Sequence, residues 1–399
     1  MCDPPRPAGA VELASIVRAA GANAGEQRLC ATQRRALTAI VQCRTAALGA
    51  TVSRCDHCGE VEVRYHSCRN RHCPKCQTLA KERWLAARTA ELLPVPYFHV
   101  VFTLPHALNP LAQGNPRLIY TLLFNSAAAT LERFAEDPKW LGAQLGVTMI
   151  LHTWSQTLEQ HLHVHCLVSA GGLSATGQWR ASKPHFLFPV RALSRVFRGK
   201  LLSGLEQAQV RGALKLAEGQ AGSKPQSAFA ALLSTLRSQD WVVYAKQPFA
   251  GPQQVLAYLA RYTHRIAISN DRLMSDDAGQ VRFRYRDRRR GNRPRTMTLP
   301  REEFLRRFLL HVLPTGFMRI RHFGLFANRH RATKLAAARS ALRQPTPEPM
   351  PPETSADFLR RVRSIDITRC SHCRQGHLHI VAITEPAWRS TLLTTGPPQ

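Results

Sequence analysis

Two Cys-x2-Cys pairs near the amino terminus constrain the fold more than any other feature of this sequence. Cys55 and Cys58 form the first pair, and Cys73 and Cys76 form the second, with fourteen residues between the pairs. A turn of this spacing directs two thiolates at one ion, and two such turns complete the tetrahedron of a structural zinc site. We therefore predict one zinc ribbon within a zinc-binding domain at residues 51–90. Reduced core thiols are the less favoured alternative, because core cysteines do not come as paired turns.

Other cysteines and histidines offer further ligands for zinc. Inside the predicted zinc-binding domain these are His57, His66, Cys68 and His72. Near the carboxyl terminus a third pair supplies two ligands, with His377 as a candidate third and no evident fourth: Cys370 and Cys373. A different choice of ligands, or a second zinc ion, therefore stays open. Seven of the eleven cysteines lie in these clusters, which favours metal ligands in a reducing cytosol over disulfides.

The charge of the chain favours a nucleic-acid partner. Lysine and arginine number 55 against 26 acidic residues, which gives a formal net charge of +29. DNA would relieve the repulsion within so basic a protein, whereas a self-contained metabolic enzyme has no use for it. The apolar fraction of 44% excludes a disordered chain, and we find no secretory signal and no membrane-spanning segment. We expect a protein of the bacterial cytosol that associates with the nucleoid and not with a membrane.

An arginine-rich stretch predicts where DNA binds. Phe283 and Tyr285 alternate in a predicted strand with three arginines, Arg282, Arg284 and Arg286. Aromatic rings that stack on bases, beside guanidinium groups that bind phosphate, are how proteins hold single strands. A solvated hairpin face is the alternative, and the net charge favours DNA binding over it.

Three histidines alternate along a second predicted strand and suggest a metal site. His161, His163 and His165 share one face of this strand, while the residues between them are apolar. Burying three polar imidazoles on one strand face costs too much free energy for an ordinary core. Rings at positions i and i+2 can converge on one ion. We therefore predict a metal site on this face.

Two tyrosines lie one helical turn apart in the segment Tyr258–Tyr262, beside Arg261 and Arg265. A phenol has a pKa of about 10, so it is a poor nucleophile unless a cation stabilises the phenolate. A divalent ion or one of these arginines, which are also candidate DNA ligands, would do so. Taken alone, the pair fits an aromatic packing stripe better than a catalytic pair, and the neighbouring arginines and the upstream histidine strand give the catalytic interpretation its weight.

The remaining pattern predicts the organisation of the chain. Residues 1–50 form a helical segment, residues 95–335 form a catalytic domain with a helical insertion near 190–240, and residues 336–399 form a linker with the third cysteine pair. The predicted helices cover residues 32–48, 79–93, 117–135 and 253–262. The predicted strands cover residues 96–105, 161–169, 266–269 and 281–286, and a further strand starts near residue 146.

Taken together, these blocks resemble a known family. A histidine–hydrophobe–histidine strand followed by a Tyr-x3-Tyr helix is similar to the HUH endonucleases with two tyrosines. The fuller resemblance, over about residues 25–335, is to the rolling-circle transposases of the family named after insertion sequence IS91. It is carried by CxxCG at 55–59, SCRNRHCPKCQ at 67–77, FTLP at 102–105, LHTWSQTLEQHLHVHCLVSAGG at 151–172, YLARYTHRIAISN at 258–270 and GFMRIRHFG at 316–324.

The resemblance implies a fold and a reaction. The fold would be α+β, with an antiparallel HUH endonuclease sheet flanked by helices and preceded by a small zinc-binding domain. His163 and His165 would hold Mg²⁺ or Mn²⁺, and Tyr258 or Tyr262 would attack the DNA to give a 5′-phosphotyrosine. The DNA would be single-stranded or hairpin element ends and the target. The third metal ligand stays open among Glu159, Gln160, His161 and Gln254.

Two other functions remain open at this point. The first is a plasmid replication initiator or relaxase, which uses the same histidine and tyrosine chemistry. The cysteine cluster near the amino terminus and the context of the tyrosines favour the transposase over it. The second is a non-enzymatic, zinc-dependent DNA-binding regulator, in which the histidines and tyrosines are merely structural. It predicts metal-dependent folding and duplex binding without a covalent product.

Overall fold

The computed structural model describes residues 10–21, 29–216, 224–246, 256, 267–287, 290–345 and 353–386. Its ten helices of six residues or more within these ranges are α1 (Leu13–Ala20), α2 (Ala31–Gln42), α3 (Thr78–Glu91), α4 (Asn109–Gly114), α5 (Pro116–Glu136), α6 (Val190–Val210), α7 (Pro225–Ser238), α8 (Arg301–Leu309), α9 (Arg331–Ala341) and α10 (Ser355–Arg363).

The strands in the same ranges are β1 (Ala50–Cys55), β2 (Val61–Tyr65), β3 (Tyr97–Thr103), β4 (Gln144–Trp154), β5 (Gln160–Leu173), β6 (Trp179–Ala181), β7 (Val243–Lys246), β8 (Leu273–Asp277), β9 (Gln280–Asp287), β10 (Arg293–Pro300), β11 (Ile320–Gly324) and β12 (Leu378–Thr384). Contacts divide the chain into a terminal unit, residues 1–83, 264–312 and 349–399, and a central unit, residues 84–263 and 313–348.

The central unit is built on one antiparallel sheet. Its strands run in the order β11-β4-β5-β3-β7, and β6 pairs with the end of β5. Because side chains alternate along β5, Leu162, Val164, Cys166 and Val168 point to one face, where they are fully buried in the main apolar core. Helices α5 and α6 contribute to that core. The opposite face carries the histidines of β5, as the alternation predicts.

The terminal unit holds two smaller antiparallel sheets, β12-β1-β2 and β10-β9-β8. Strand β12 pairs with β1 along its length, so that Leu378 lies opposite Cys55 and Thr384 lies opposite Ala50. Phe283 of β9 packs against Phe304 of α8, with ring centroids 5.8 Å apart. Segments far apart in sequence therefore share this unit.

The predicted α+β fold, with an antiparallel sheet flanked by helices, is confirmed. The helical insertion resolves into α6 and α7. The strand predicted at 266–269 is absent over its described part, Ala267–Ser269. The helix predicted at 253–262 lies outside the described residues except for Leu256, which is helical.

The carboxyl-terminal prediction needs a larger correction. Residues 336–399 are not simply a linker with a cysteine pair, because their described part contains most of α9, all of α10 and the strand β12 that joins the first sheet. In the described part of the chain, no helix is both long enough and apolar enough to span a bilayer.

Candidate functional site

Three buried histidines meet on the β4–β5 face of the central sheet. β5 places His163 and His165 two residues apart, and the antiparallel register puts His152 of β4 directly opposite His163. One ring nitrogen from each lies within 4.8 Å of the others, and all three residues are buried. The Nε2 atoms of His163 and His165 are 3.1 Å apart. This arrangement concentrates three nitrogen ligands at one point.

Hydrogen bonds fix the orientation of two of these rings. The Nδ1 of His165 lies 2.8 Å from the Nε2 of His99 on β3, and the Nδ1 of His163 lies 3.0 Å from the carbonyl oxygen of His161. Partners of this kind hold the other ring nitrogen, Nε2, towards a metal. Burial lowers the pKa of His152 well below its ordinary value and lowers the pKa of His99 to about 4. Neutral imidazole is the form that binds a cation.

The spacing of His163 and His165 fits a divalent ion. In an octahedron with bonds of about 2.1 Å, adjacent ligands lie about 3 Å apart, close to the observed separation of the two Nε2 atoms. Three protein ligands leave positions open for water or a phosphate oxygen. Imidazole suits Mn²⁺ better than Mg²⁺, which prefers oxygen ligands.

The structure places the other candidate ligands elsewhere. His161, one of the candidate third ligands, is not among the three grouped histidines, and its Nδ1 lies 3.3 Å from the Nε2 of His106. Glu159 is exposed and accepts a hydrogen bond from Thr157, while the side-chain oxygen of Gln160 accepts one from Gln113. Sequence reasoning missed His152, which only the register of β4 against β5 reveals.

The tyrosine segment cannot be placed in this geometry. Four predicted site residues lie outside the described residues, together with the candidate ligand Gln254: Tyr258, Arg261, Tyr262 and Arg265. Their roles therefore stay predictions.

The first cysteine cluster consists of Cys43, Cys68, Cys73 and Cys76, whose sulfur atoms all lie within 4.8 Å of one another. The Sγ atoms of Cys68 and Cys76 are 3.7 Å apart. Zinc–sulfur bonds of about 2.3 Å give a tetrahedron with edges of about 3.8 Å, so the spacing fits zinc. The backbone N–H of Cys68 points at the sulfur of Cys43, 3.5 Å away, which favours a thiolate there.

The second cysteine cluster consists of Cys55, Cys58, Cys370 and Cys373. The Sγ atoms of Cys55 and Cys373 are 3.7 Å apart, and those of Cys58 and Cys370 are 3.8 Å apart. A hydrogen bond from the backbone N–H of Gly376 is the largest influence that lowers the pKa of Cys373, to about 6. Both clusters have four ligands and so leave no open position.

The prediction of one zinc ribbon from the two amino-terminal pairs is therefore wrong in its grouping. Cys55 and Cys58 lie with the carboxyl-terminal pair, whereas Cys73 and Cys76 lie with two cysteines outside any pair. Cys43 is the residue after α2, which ends at Gln42, and it lies in the cluster. The candidate ligand His72 belongs to neither cluster, and its Nδ1 lies 3.0 Å from Asn70 Oδ1.

The predicted arginine strand is β9, and it presents its arginines to solvent. Three exposed arginines alternate with more buried residues: Arg282, Arg284 and Arg286. Phe283, however, is fully buried against Phe304 and is not available to stack on a base. Tyr285 is only partly buried. The strand therefore offers guanidinium groups on one face and packs its phenylalanine on the other.

Comparison with known proteins identifies similar sequences over both units. A family model described as "Putative transposase" matches residues 146–334, and one described as "Transposase zinc-binding domain" matches residues 16–104. "Putative transposase y4qJ" of Sinorhizobium fredii is 46% identical over 97% of this chain and 97% of its own length. The transposase for insertion sequence element IS801 of Pseudomonas savastanoi pv. phaseolicola is 30% identical over 87% of this chain and 83% of its own.

Among solved structures, the conjugative relaxase TrwC in complex with oriT DNA, in its metal-bound form, is 16% identical. The match covers 42% of this chain and 70% of that chain, with a TM-score of 0.24. TrwC with a 27-mer DNA gives a TM-score of 0.23 at 16% identity, over 61% of this chain and 73% of that chain. At these TM-scores the likeness carries no further conclusion.

Proposed function

Since this chain belongs to the IS91-type family of insertion-sequence transposases, we propose that it cuts and rejoins single-stranded DNA through a 5′-phosphotyrosine intermediate. The observation that carries this proposal is the cluster of His152, His163 and His165, three buried imidazoles that converge with positions left open for a substrate. A purely structural metal site would fill all four positions, as the two cysteine clusters do.

The chemistry follows from these residues. His152, His163 and His165 would hold the ion, and His99 would orient His165. Mg²⁺ or Mn²⁺ bound there would polarise the scissile phosphodiester and stabilise the leaving 3′-oxygen.

The nucleophile would be the hydroxyl of Tyr258 or Tyr262. Its oxygen would bond to phosphorus as the bond from phosphorus to the 3′-oxygen breaks, and the 3′-oxygen would leave with a proton as a 3′-hydroxyl. The energy of the phosphodiester is kept in the phosphotyrosine, so no nucleotide hydrolysis is needed to rejoin the strand. The second tyrosine would carry out the other strand transfer.

The remaining parts of the chain would bind the DNA and stabilise the fold. The exposed arginines of β9 would contact phosphates of the single-stranded or hairpin element end and of the target. Arg261 and Arg265 would do the same beside the tyrosines. Zinc in the first cysteine cluster, which lies within the matched zinc-binding domain, would stabilise the fold and take no part in cleavage.

The test is a covalent-complex assay. Purified protein is mixed with labelled single-stranded oligonucleotides that span the element end, with Mg²⁺ or Mn²⁺, and run on a denaturing gel. We expect a covalent protein–DNA product. EDTA, His163→Ala, and the double change Tyr258→Phe and Tyr262→Phe should each abolish it. The exposed residues His330 and Tyr65 supply matched controls, His330→Ala and Tyr65→Phe, which should retain the product.

The opposite result would favour another function. Tight binding of the correct end without cleavage or joining would refute the endonuclease proposal and favour a zinc-dependent DNA-binding regulator. Cleavage at a plasmid origin, with none at the ends of a repeated element, would favour a replication initiator or relaxase.

A further inference from the structure

We infer that Cys55, Cys58, Cys370 and Cys373 form a second zinc site, which fastens the carboxyl-terminal segment to the amino-terminal zinc-binding region. The matched zinc-binding family ends at residue 104, so two of these four ligands lie far outside it. The inference depends on the cysteine geometry and not on the proposed cleavage reaction.

The sulfur positions carry the first step. The two Sγ–Sγ distances between the pairs, 3.7 and 3.8 Å, match the edge of about 3.8 Å expected for a zinc tetrathiolate. The sulfur atoms of a disulfide lie about 2.05 Å apart, so neither Cys55 and Cys373 nor Cys58 and Cys370 form one. Cys55 and Cys373 are 318 positions apart, which excludes an accident of local sequence as the reason for their contact.

The two cysteine pairs also have the same backbone form. In each pair, the N–H of the residue after the second cysteine donates to the carbonyl of the first: Gly59 to Cys55 and Arg374 to Cys370, both at 3.1 Å. Both donor residues have left-handed backbone, with φ of 72° at Gly59 and 57° at Arg374. Arginine rarely adopts this conformation, so the turn is held by its surroundings. Two equivalent turns therefore face each other across one centre.

Specific contacts hold the two turns together. The N–H of His377 donates to Asp56 Oδ1 at 2.7 Å, and the N–H of Asp56 donates to the carbonyl of His377 at 3.0 Å. Gly376 comes so close that a Cβ there would lie 2.5 Å from the sulfur of Cys55. Only glycine permits this approach.

Apolar burial does not explain why β12 stays on the sheet. All of its residues except Leu378 are exposed, including Ile380 and Ile383 at 63% and 66%. Ordering this segment has an entropic cost, which strand pairing with so little burial offsets poorly. Four zinc–thiolate bonds would supply the missing stabilisation.

Zinc content tests the site directly. We expect two zinc ions per full-length chain by elemental analysis, falling to one in the double variant Cys370→Ser and Cys373→Ser. The control is Cys30→Ser, because Cys30 is exposed and lies outside both clusters, and it should keep both ions. One ion in the unaltered protein, or two in the double variant, would overturn the inference.

A measurement on the unaltered protein covers the case in which the double variant does not fold. Cys58 is exposed and Cys373 partly exposed, so iodoacetamide should reach both once the metal is removed, and exposed Cys30 is the reference thiol. We expect zinc to protect both at least tenfold relative to Cys30, and a chelator to abolish that protection. If Cys58 and Cys373 react as fast in the zinc-loaded protein as after chelation, the site is refuted. Protection lifted only by a reductant would identify disulfides and refute it equally.

Discussion

Replacement of His99 by alanine tests whether the three-histidine cluster binds the ion that the reaction needs. His99 lies on β3, and its Nε2 is 2.8 Å from the Nδ1 of His165. It does not belong to the cluster itself, so its removal leaves all three ligands in place. What is lost is the hydrogen bond that orients one ligand, and loss of such a partner lowers metal affinity 10- to 100-fold, or about 1.4 to 2.8 kcal/mol.

The assay is the yield of covalent protein–DNA complex as a function of Mn²⁺ concentration. We expect His99→Ala to raise the half-saturating Mn²⁺ concentration about 10- to 100-fold while yield at saturating Mn²⁺ recovers. His99→Gln should restore part of the affinity, because its amide can replace the lost partner.

The matched control is His322→Ala in the same sheet. Burial also lowers the pKa of His322 to about 4, but this ring bonds Thr148 and lies outside the cluster. An unchanged Mn²⁺ requirement in His99→Ala, or an equal shift in His322→Ala, would refute the assignment.

Three further predictions concern zinc, DNA and the core. Cys43→Ser should remove one zinc ion per chain, measured by elemental analysis, because Cys43 completes the first cluster. Glutamine at all three exposed arginines of β9 should lower the slope of log affinity against log salt by about 2 for single-stranded DNA, measured by fluorescence anisotropy, if each binds one phosphate. Phe102→Ala should destabilise the central unit by about 3–5 kcal/mol in urea unfolding, because Phe102 is fully buried and its ring centroid lies 4.9 Å from that of Phe197.

Each of these has its own control and its own contrary result. Cys30→Ser should keep its zinc, and a Cys43→Ser protein with full zinc would show that this residue is not a ligand. Glutamine at three exposed arginines of the other unit, Arg191, Arg195 and Arg211, removes the same charge, and an equal change in slope would show that β9 has no special part in binding. A loss below about 1 kcal/mol for Phe102→Ala would mean that its surroundings collapse into the space.

Local spacing explains what the sequence could predict. Alternation along β5 separates Leu162, Val164 and Cys166 from the histidines without knowledge of any other strand. The arginines of β9 follow from the same rule. These features depend on residues within a few positions of one another, where backbone geometry alone decides which side chains share a face.

Strand register explains what the sequence could not predict. His152 joins the cluster only because β4 pairs with β5 at that register, and Cys55 meets Cys373 only because β12 returns to β1. The spacing of Cys55–Cys58 and Cys73–Cys76 predicts two turns that bind metal, but it does not say which turns share an ion. Phe283 shows the same limit, since alternation places it on one face but does not reveal that Phe304 covers it.

Ligand type would keep two different metals apart in one chain. Both cysteine clusters offer four sulfur atoms, which suit zinc and leave no room for substrate, whereas the histidine cluster contains no sulfur. Cys166 directly follows His165 but points to the opposite face of β5, where it is fully buried and its pKa is raised by that burial, so it remains a thiol. A sulfur ligand on the histidine face would favour zinc over Mn²⁺. The alternation that gathers the imidazoles therefore also excludes the neighbouring thiol from the proposed catalytic ion.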